Sequence, residues 1–397
     1  MFEKVTQAPA DPILGLTEEF RKDTRTDKIN LGAGIYKDEA GATPILHCVK
    51  QAEQRLVDHE KTKNYLSIEG TADYGRLVQE LIFGADHDIV TGKRAKTAQA
   101  PGGTGALRNG AEFLAHQQLA TKVWISNPTW VNHFQIFGMA GLETAEYRYY
   151  DATTHGLDFA GMLASLKQAQ PGDVVLLHAC CHNPTGIDLN ADQWEILAKL
   201  MLEQKLLPFF DFAYQGFSVG VDEDAVGIRI FAQYFREFLI ASSFSKNFGL
   251  YSERVGAITL VADSQEVAER AFSQMKIAIR ANYSNPPAHG AAIVTTVLTD
   301  PSLKAQWLDE VKDMRARIRD MRELLVAKLK AKGIAQDFSF IAEQNGMFSF
   351  SGLNKDQVAR LKAEHGIYIV GSGRISVAGI TRSNIDALVD GIVAVLK

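Results

Sequence analysis

The sequence predicts an α/β protein, with a mostly parallel sheet covered by helices and a smaller second domain after it. Two observations carry this. From about residue 96 to 262, short apolar runs alternate with helix-period stretches, as strand and crossover pairs require. After residue 300 the alternation gives way to one long helical pattern and then to short mixed elements. A chain of 397 residues that is 46% hydrophobic and 22% charged is an ordinary globular one, which excludes collagen, a coiled-coil rod and a disordered tail.

Candidate strands lie at 96–99, 123–126, 174–178, 207–211, 238–241 and 255–261. Several are apolar throughout, which suits strands buried on both faces. Asn190 caps a crossover helix with Gln193 three residues on, and Trp194, Leu197, Ala198, Met201 and Leu202 fall on one stripe. From Ser302 to about Lys332, the residues Val311, Met314, Ile318, Met321, Leu325 and Leu329 stay in register. That is a helix of roughly 45 Å at ~1.5 Å per residue, stopping at Gly333. A strand at 347–350, a helix at 355–365, short strands near 368–370 and 374–377, and a closing amphipathic helix complete the chain. Residues 1–45 have few strong periodicities, and pattern alone assigns them to neither domain.

Forty-two Lys and Arg against 47 Asp and Glu give a net charge of −5. A nucleic-acid backbone or an anionic membrane selects the opposite balance, so a small-molecule partner is expected, with no nucleic acid and no membrane. The three cysteines, Cys48, Cys180 and Cys181, form no disulfide framework and suit a reducing cytoplasm. No apolar run reaches a membrane-spanning length, and the N-terminal stretch lacks the unbroken apolar core of a secretory signal.

In an open α/β sheet, catalytic groups stand just past the carboxyl ends of strands. After 96–99 comes Pro101-Gly102-Gly103-Thr104-Gly105, opening a helix with Leu107, Ala111 and Leu114 on one stripe. Its backbone N–H groups suit a phosphate, although a dinucleotide fingerprint fails at Arg108, and an ordinary glycine-rich connection is the alternative. After 174–178 comes His178-Ala179-Cys180-Cys181-His182-Asn183-Pro184-Thr185-Gly186. If the strand ran on, His178 and His182 would lie about 13 Å apart at ~3.3 Å per residue, too far to share a zinc ion, so no metal is expected. The Asn183 turn is either a plain strand exit or an amide aimed at the crevice.

Asp211 closes the next run, with Tyr214 three residues on. It is either a helix cap or the charged partner of an aromatic nitrogen cation. Lys246 follows the fifth run within Ser242-Ser243-Phe244-Ser245-Lys246-Asn247 and is either a surface charge or an amine able to form an imine. The serines and Arg254 offer the second half of a phosphate cradle. Arg280 and Arg374 are forks suited to carboxylates, though solvated ion pairs are the commoner fate of arginine.

Taken together, these groups describe pyridoxal 5'-phosphate and a dicarboxylic amino acid. Over essentially its whole length the chain resembles the aspartate and aromatic amino acid aminotransferases of the class I, fold-type I pyridoxal-phosphate family, nearer to the aspartate branch. Asp11-Pro12-Ile13-Leu14-Gly15-Leu16, Cys181-His182-Asn183-Pro184-Thr185-Gly186, Asp211-Phe212-Ala213-Tyr214-Gln215-Gly216, Ser245-Lys246-Asn247-Phe248-Gly249-Leu250-Tyr251 and Gly373-Arg374 carry the likeness. The resemblance implies a large domain at 46–314 with a seven-stranded sheet, a small α+β domain at 12–45 and 315–397, and an N-terminal arm at 1–11. It implies that Lys246 holds the cofactor and moves the proton, that Asp211, backed by His133, keeps the pyridine nitrogen protonated, and that Tyr214 and Asn183 bond the phenolic oxygen. Gly103, Thr104, Ser243, Ser245 and Arg254 match phosphate-binding positions, Trp130 the ring-stacking aromatic, and Tyr65 a tyrosine lent by a neighbouring subunit. Arg374 matches the α-carboxylate clamp and Arg280, also lent, the distal one, with Gly34, Trp130 and Asn183 lining substrate. A cytoplasmic homodimer with shared active sites, converting L-aspartate and 2-oxoglutarate to oxaloacetate and L-glutamate, follows from the likeness.

Asn64 and Asn285 resemble the aspartate branch, and an aromatic substrate would leave Arg280 facing a ring, so side activity on tyrosine or phenylalanine is the lesser expectation and an aromatic aminotransferase the alternative. A pyridoxal-phosphate β-lyase would not need both arginines. A regulator's sensor domain would need a basic DNA-binding module ahead of the fold, whereas the resemblance begins at Met1.

Overall fold

A computed structural model of the chain describes residues 1–9 and 13–397, so residues 10–12, with the Asp11-Pro12 part of the N-terminal motif, lie outside it. The chain divides into two compact units. The larger comprises Pro44–Asn183 and Ile187–Ala316, and the smaller comprises Met1–Thr43, Pro184–Gly186 and Arg317–Lys397.

The larger unit is built on a seven-stranded sheet: β1 (Ala95–Pro101), β2 (Lys122–Asn127), β3 (Glu143–Arg148), β4 (Val174–His178), β5 (Leu207–Phe212), β6 (Phe238–Ser243) and β7 (Val255–Val261). The spatial order is β1-β7-β6-β5-β4-β2-β3. Only β7 runs against its neighbours; the others are mutually parallel. The six expected strands are all present. β3 was not among them, because Glu-Thr-Ala-Glu-Tyr-Arg at the sheet edge buries only Tyr147 and so has no apolar run to read.

Helices α1 (Gly102–His116) and α2 (Ala191–Glu203) follow β1 and β4, and α3 (Gln265–Asn282) follows β7. In α2, Asn190 and Gln193 make the expected reciprocal capping box. One residue of the expected stripe is corrected: Leu202 is 47% exposed, and Leu200 turns inward instead. Phe137 and Phe209 meet edge to face in the core, with Ile258 and Met275 buried in the same cluster.

Helix α4 (Pro301–Ala331) buries all six residues of its predicted stripe and stops two residues before Gly333, whose φ of +68° is the left-handed conformation glycine favours. In the smaller unit, Phe348–Phe350 pairs antiparallel with Arg374–Ser376, and Ile29–Asn30 pairs parallel with Ile367–Tyr368. The second ladder ties part of the featureless N-terminal stretch to the C-terminal one through backbone pairing, which leaves no periodic signature in two residues.

Candidate active site

The parallel direction of β1, β2, β4, β5 and β6 brings their carboxyl ends to one edge of the sheet, where Asp211, Ser243 and the turn at Gly102 stand at the ends of β5, β6 and β1. Asp211 sits near the end of β5 in register with His178 of β4. It is strand, not a helix cap. Its Oδ2 accepts from His133 Nε2 at 3.1 Å, and Thr129 Oγ1 meets His133 Nδ1 at 2.8 Å. Since the ionised carboxylate only accepts, Nε2 carries the proton, and in the neutral imidazole Nδ1 accepts from the Thr129 hydroxyl. Thr129 was not among the expected residues. It stands four residues before His133 across a Pro128-Thr129 turn, where spacing alone gives no hint of the contact.

Burial would raise the Asp211 carboxyl, yet the His133 hydrogen bond, with the Lys246 amine nearby, holds it below the usual carboxylate value. Its Oδ1 is buried without a hydrogen-bond partner among the described residues. A buried carboxylate with one oxygen fixed and the other unanswered is a receptor for a cationic donor.

Lys246 is half-buried, with Nζ 5.0 Å from the centre of the Tyr214 ring. Burial lowers its amine to about 8, against the attraction of Asp211 and with the repulsion of Arg254. It is therefore no solvated surface charge. Trp130 stands edge-on to His133 at 5.2 Å, and Asn183 and Tyr214 are both buried.

The phosphate-type cradle assembles as expected from distant segments. Gly102 has φ +72°, and a Cβ there would lie 2.2 Å from the Arg254 guanidinium, so only glycine admits that approach. Arg254 Nη1 donates to Ser245 Oγ at 3.3 Å, and Ser243 Oγ lies 3.2 Å from Ser245 Oγ. Gly103 and Thr104 open α1, so free helix N–H groups, two hydroxyls and a guanidinium share one place.

One distance is corrected. The strand stops at His178, Cys181 takes φ +51°, and the folded-back chain brings the His178 and His182 rings to 4.3 Å rather than about 13 Å. One ligand atom each of His133, His178 and Asp211 lies within 4.8 Å of the others, so separation does not exclude a shared cation. The bonding does oppose one, because the His133–Asp211 contact holds a proton where a metal would bridge. Burial, with His133 beside it, lowers His178 to about 3 and so keeps it neutral.

Tyr65 is 92% exposed, and Arg280 is exposed at the end of α3, where it donates to Ser284 Oγ and to Asn285 Oδ1 at 3.4 Å. In the smaller unit Arg374 is buried, donates to the Gly32 carbonyl at 2.6 Å, and faces the Phe348 ring at 4.2 Å. Gly34 abuts that same ring: a Cβ on it would come within 2.5 Å of Phe348.

Known proteins place this architecture. The family model for aminotransferase class I and II matches residues 26–392. An aspartate aminotransferase of Escherichia coli (strain K12) is 59% identical over 396 residues, and an aromatic-amino-acid aminotransferase of the same strain is 44% identical over 397, each covering all of both chains. Among solved structures, an aromatic-amino-acid aminotransferase from Burkholderia pseudomallei, covalently bound to pyridoxal phosphate, superposes with a TM-score of 0.98 at 51% identity over the full length of both.

Proposed function

Since the chain belongs to the class I and II aminotransferase family, we propose that it is an aspartate aminotransferase, passing the amino group of L-aspartate to 2-oxoglutarate with pyridoxal 5'-phosphate as cofactor. The observation that carries the chemistry is the pairing of Lys246, an amine brought down to about 8, with a buried Asp211 whose Oδ1 lacks a partner among the described residues. The aspartate preference is supported by 59% identity to the aspartate enzyme against 44% to the aromatic one of the same bacterium.

Bound at this edge, the cofactor supplies an aldehyde for the amine and a cationic ring that takes up the electron pair left when Cα loses its proton. Asp211 Oδ1 would accept from the ring nitrogen and so favour the cationic ring, while His133 and Thr129 hold Oδ2 in place. Lys246 Nζ, whose amine burial brings down to about 8, would be the group that takes the proton from Cα and returns it. Tyr214 and Asn183 would serve the cofactor's phenolic oxygen, Trp130 its ring, and Gly103, Thr104, Ser243, Ser245 and Arg254 would hold its phosphate. Arg374 takes the α-carboxylate, with Gly34 beside it. Tyr65 and Arg280 serve the site of a neighbouring subunit in a homodimer, a role their exposure allows. In this reading 46–314 is the cofactor domain, 12–45 with 315–397 the small domain, and 1–11 an arm. A cytoplasmic location fits three buried cysteines that stand outside any disulfide among the described residues, and no helix among those residues is long and apolar enough to cross a membrane.

Steady-state kcat/KM for L-aspartate and L-phenylalanine, with 2-oxoglutarate as acceptor, tests the assignment. Aspartate should win by tenfold or more, on the order of 1.4 kcal/mol of transition-state discrimination, and Lys246→Ala should abolish turnover with both. A preference for phenylalanine would overturn it in favour of the aromatic branch.

A further inference from the structure

Arg322 is a guanidinium only 2% exposed, in the part of α4 that belongs to the smaller unit. Nη1 donates to the Ile341 carbonyl at 2.9 Å and to Ser349 Oγ at 2.5 Å. Nη2 donates to the carbonyls of Asn345, Gly346 and Phe348 at 3.1, 2.7 and 2.6 Å. Ser349 Oγ passes the chain on to Gln344 Oε1 at 2.5 Å. One planar fork therefore holds four main-chain carbonyls and one hydroxyl of residues 341–349, with one N–H of Nη2 shared between carbonyls, which a flexible ammonium cannot imitate.

What that segment carries is the Phe348 ring. It is buried between Gly34, whose missing Cβ makes room for it, and the Arg374 guanidinium 4.2 Å away. The face of an aromatic ring attracts a guanidinium and sets its plane. Arg374 is also anchored at one end by the Gly32 carbonyl. With one donor tied to a carbonyl and its face laid on a ring, the fork keeps a single orientation for whatever carboxylate it meets.

We propose that Arg322 is a positioning residue for the carboxylate clamp: by pinning residues 341–348 it holds the Phe348 ring as the plate on which Arg374 lies. The inference rests on the reading of Arg374 as the α-carboxylate fork. It places no role on Arg322 in proton transfer, so its loss should weaken binding of every carboxylate substrate and leave the chemical step nearly intact.

The test uses the cofactor-loaded enzyme and succinate, an unreactive dicarboxylate, with its Kd read by calorimetry beside the steady-state constants. Arg322→Lys should raise the succinate Kd and the KM of both aspartate and 2-oxoglutarate by about five- to tenfold, with kcat held within about twofold. Phe348→Leu, which keeps apolar volume and removes the plate while leaving Arg322 in place, should do the same, and it carries the test if the lysine variant fails to fold. The cofactor's visible absorption and its pH titration should not move in either. Unchanged Kd and KM in a folded variant, alongside lost succinate binding in Arg374→Ala, would overturn the positioning role while sparing the clamp. Succinate binding that survives Arg374→Ala would instead remove the clamp and the proposal with it.

Discussion

At the residue scale, the groups that make the site chemically useful also make it unstable. Folding brings Lys246 down to about 8 from the ordinary lysine value of 10.5 because burial disfavours its charge, Asp211 only partly offsetting this and Arg254 adding to it. The folded state therefore prefers the neutral amine. Its protonation costs stability in full below about pH 8, less between 8 and 10.5, and nothing above. Cofactor-free Lys246→Met should accordingly resist unfolding better than the cofactor-free parent at pH 7, with the gap closing as pH rises toward 10.5. Denaturant midpoints at pH 7 and pH 10 measure this. A variant that is weaker at pH 7, or a gap that widens with pH, would mean that attraction to Asp211 outweighs burial.

At the element scale, legibility followed burial. Val174–His178 and Val255–Val261 are enclosed on both faces, and their ends could be read to the residue. Glu143–Arg148, a strand of the same sheet, has polar residues at its edge and could not. The α2 stripe failed only at Leu202, one position around the helix from the turn of apolar residues it extends. Residue types just past strand ends announced Lys246, Asp211 and the glycine turn, but Asp211 and His133 stand 78 positions apart and Thr129 has no motif at all, so resemblance or the fold itself had to join them. Folding back after His178 was equally invisible, since a left-handed Cys181 is a conformation the residue type does not advertise. Local signals make sharper predictions where they are complete. The Asn190 and Gln193 box satisfies two donors at 2.9 and 3.0 Å, so Asn190→Ala should cost about 1 kcal/mol in denaturant unfolding without touching KM. A loss of activity with unchanged stability would show that α2 does more than cover the sheet.

At the scale of the whole molecule, the expected cofactor and substrate contacts are unevenly shared. Lys246, Asp211, His133, Trp130 and the cradle all lie in the unit of Pro44–Asn183 and Ile187–Ala316, whereas Arg374 and Gly34 belong to the other. A ligand stabilises only what it binds, so cofactor at a hundredfold above its Kd contributes about 2.7 kcal/mol, and that gain should be entered in one unit first. Removing the cofactor should therefore speed amide exchange at Gly103, Thr104, Phe212 and Ser245, while Leu388 and Ile392 in the C-terminal helix Ile385–Leu396 keep their protection. Succinate added to the loaded enzyme should then slow exchange in the smaller unit, around Ser376 and Phe348, because its carboxylate is expected at Arg374. Hydrogen exchange followed by mass spectrometry through the three states separates the two events. If cofactor removal loosened the C-terminal helix as much as the cradle, the units would be unfolding as one cooperative body, and the division of labour between a cofactor unit and a carboxylate unit would have no energetic meaning.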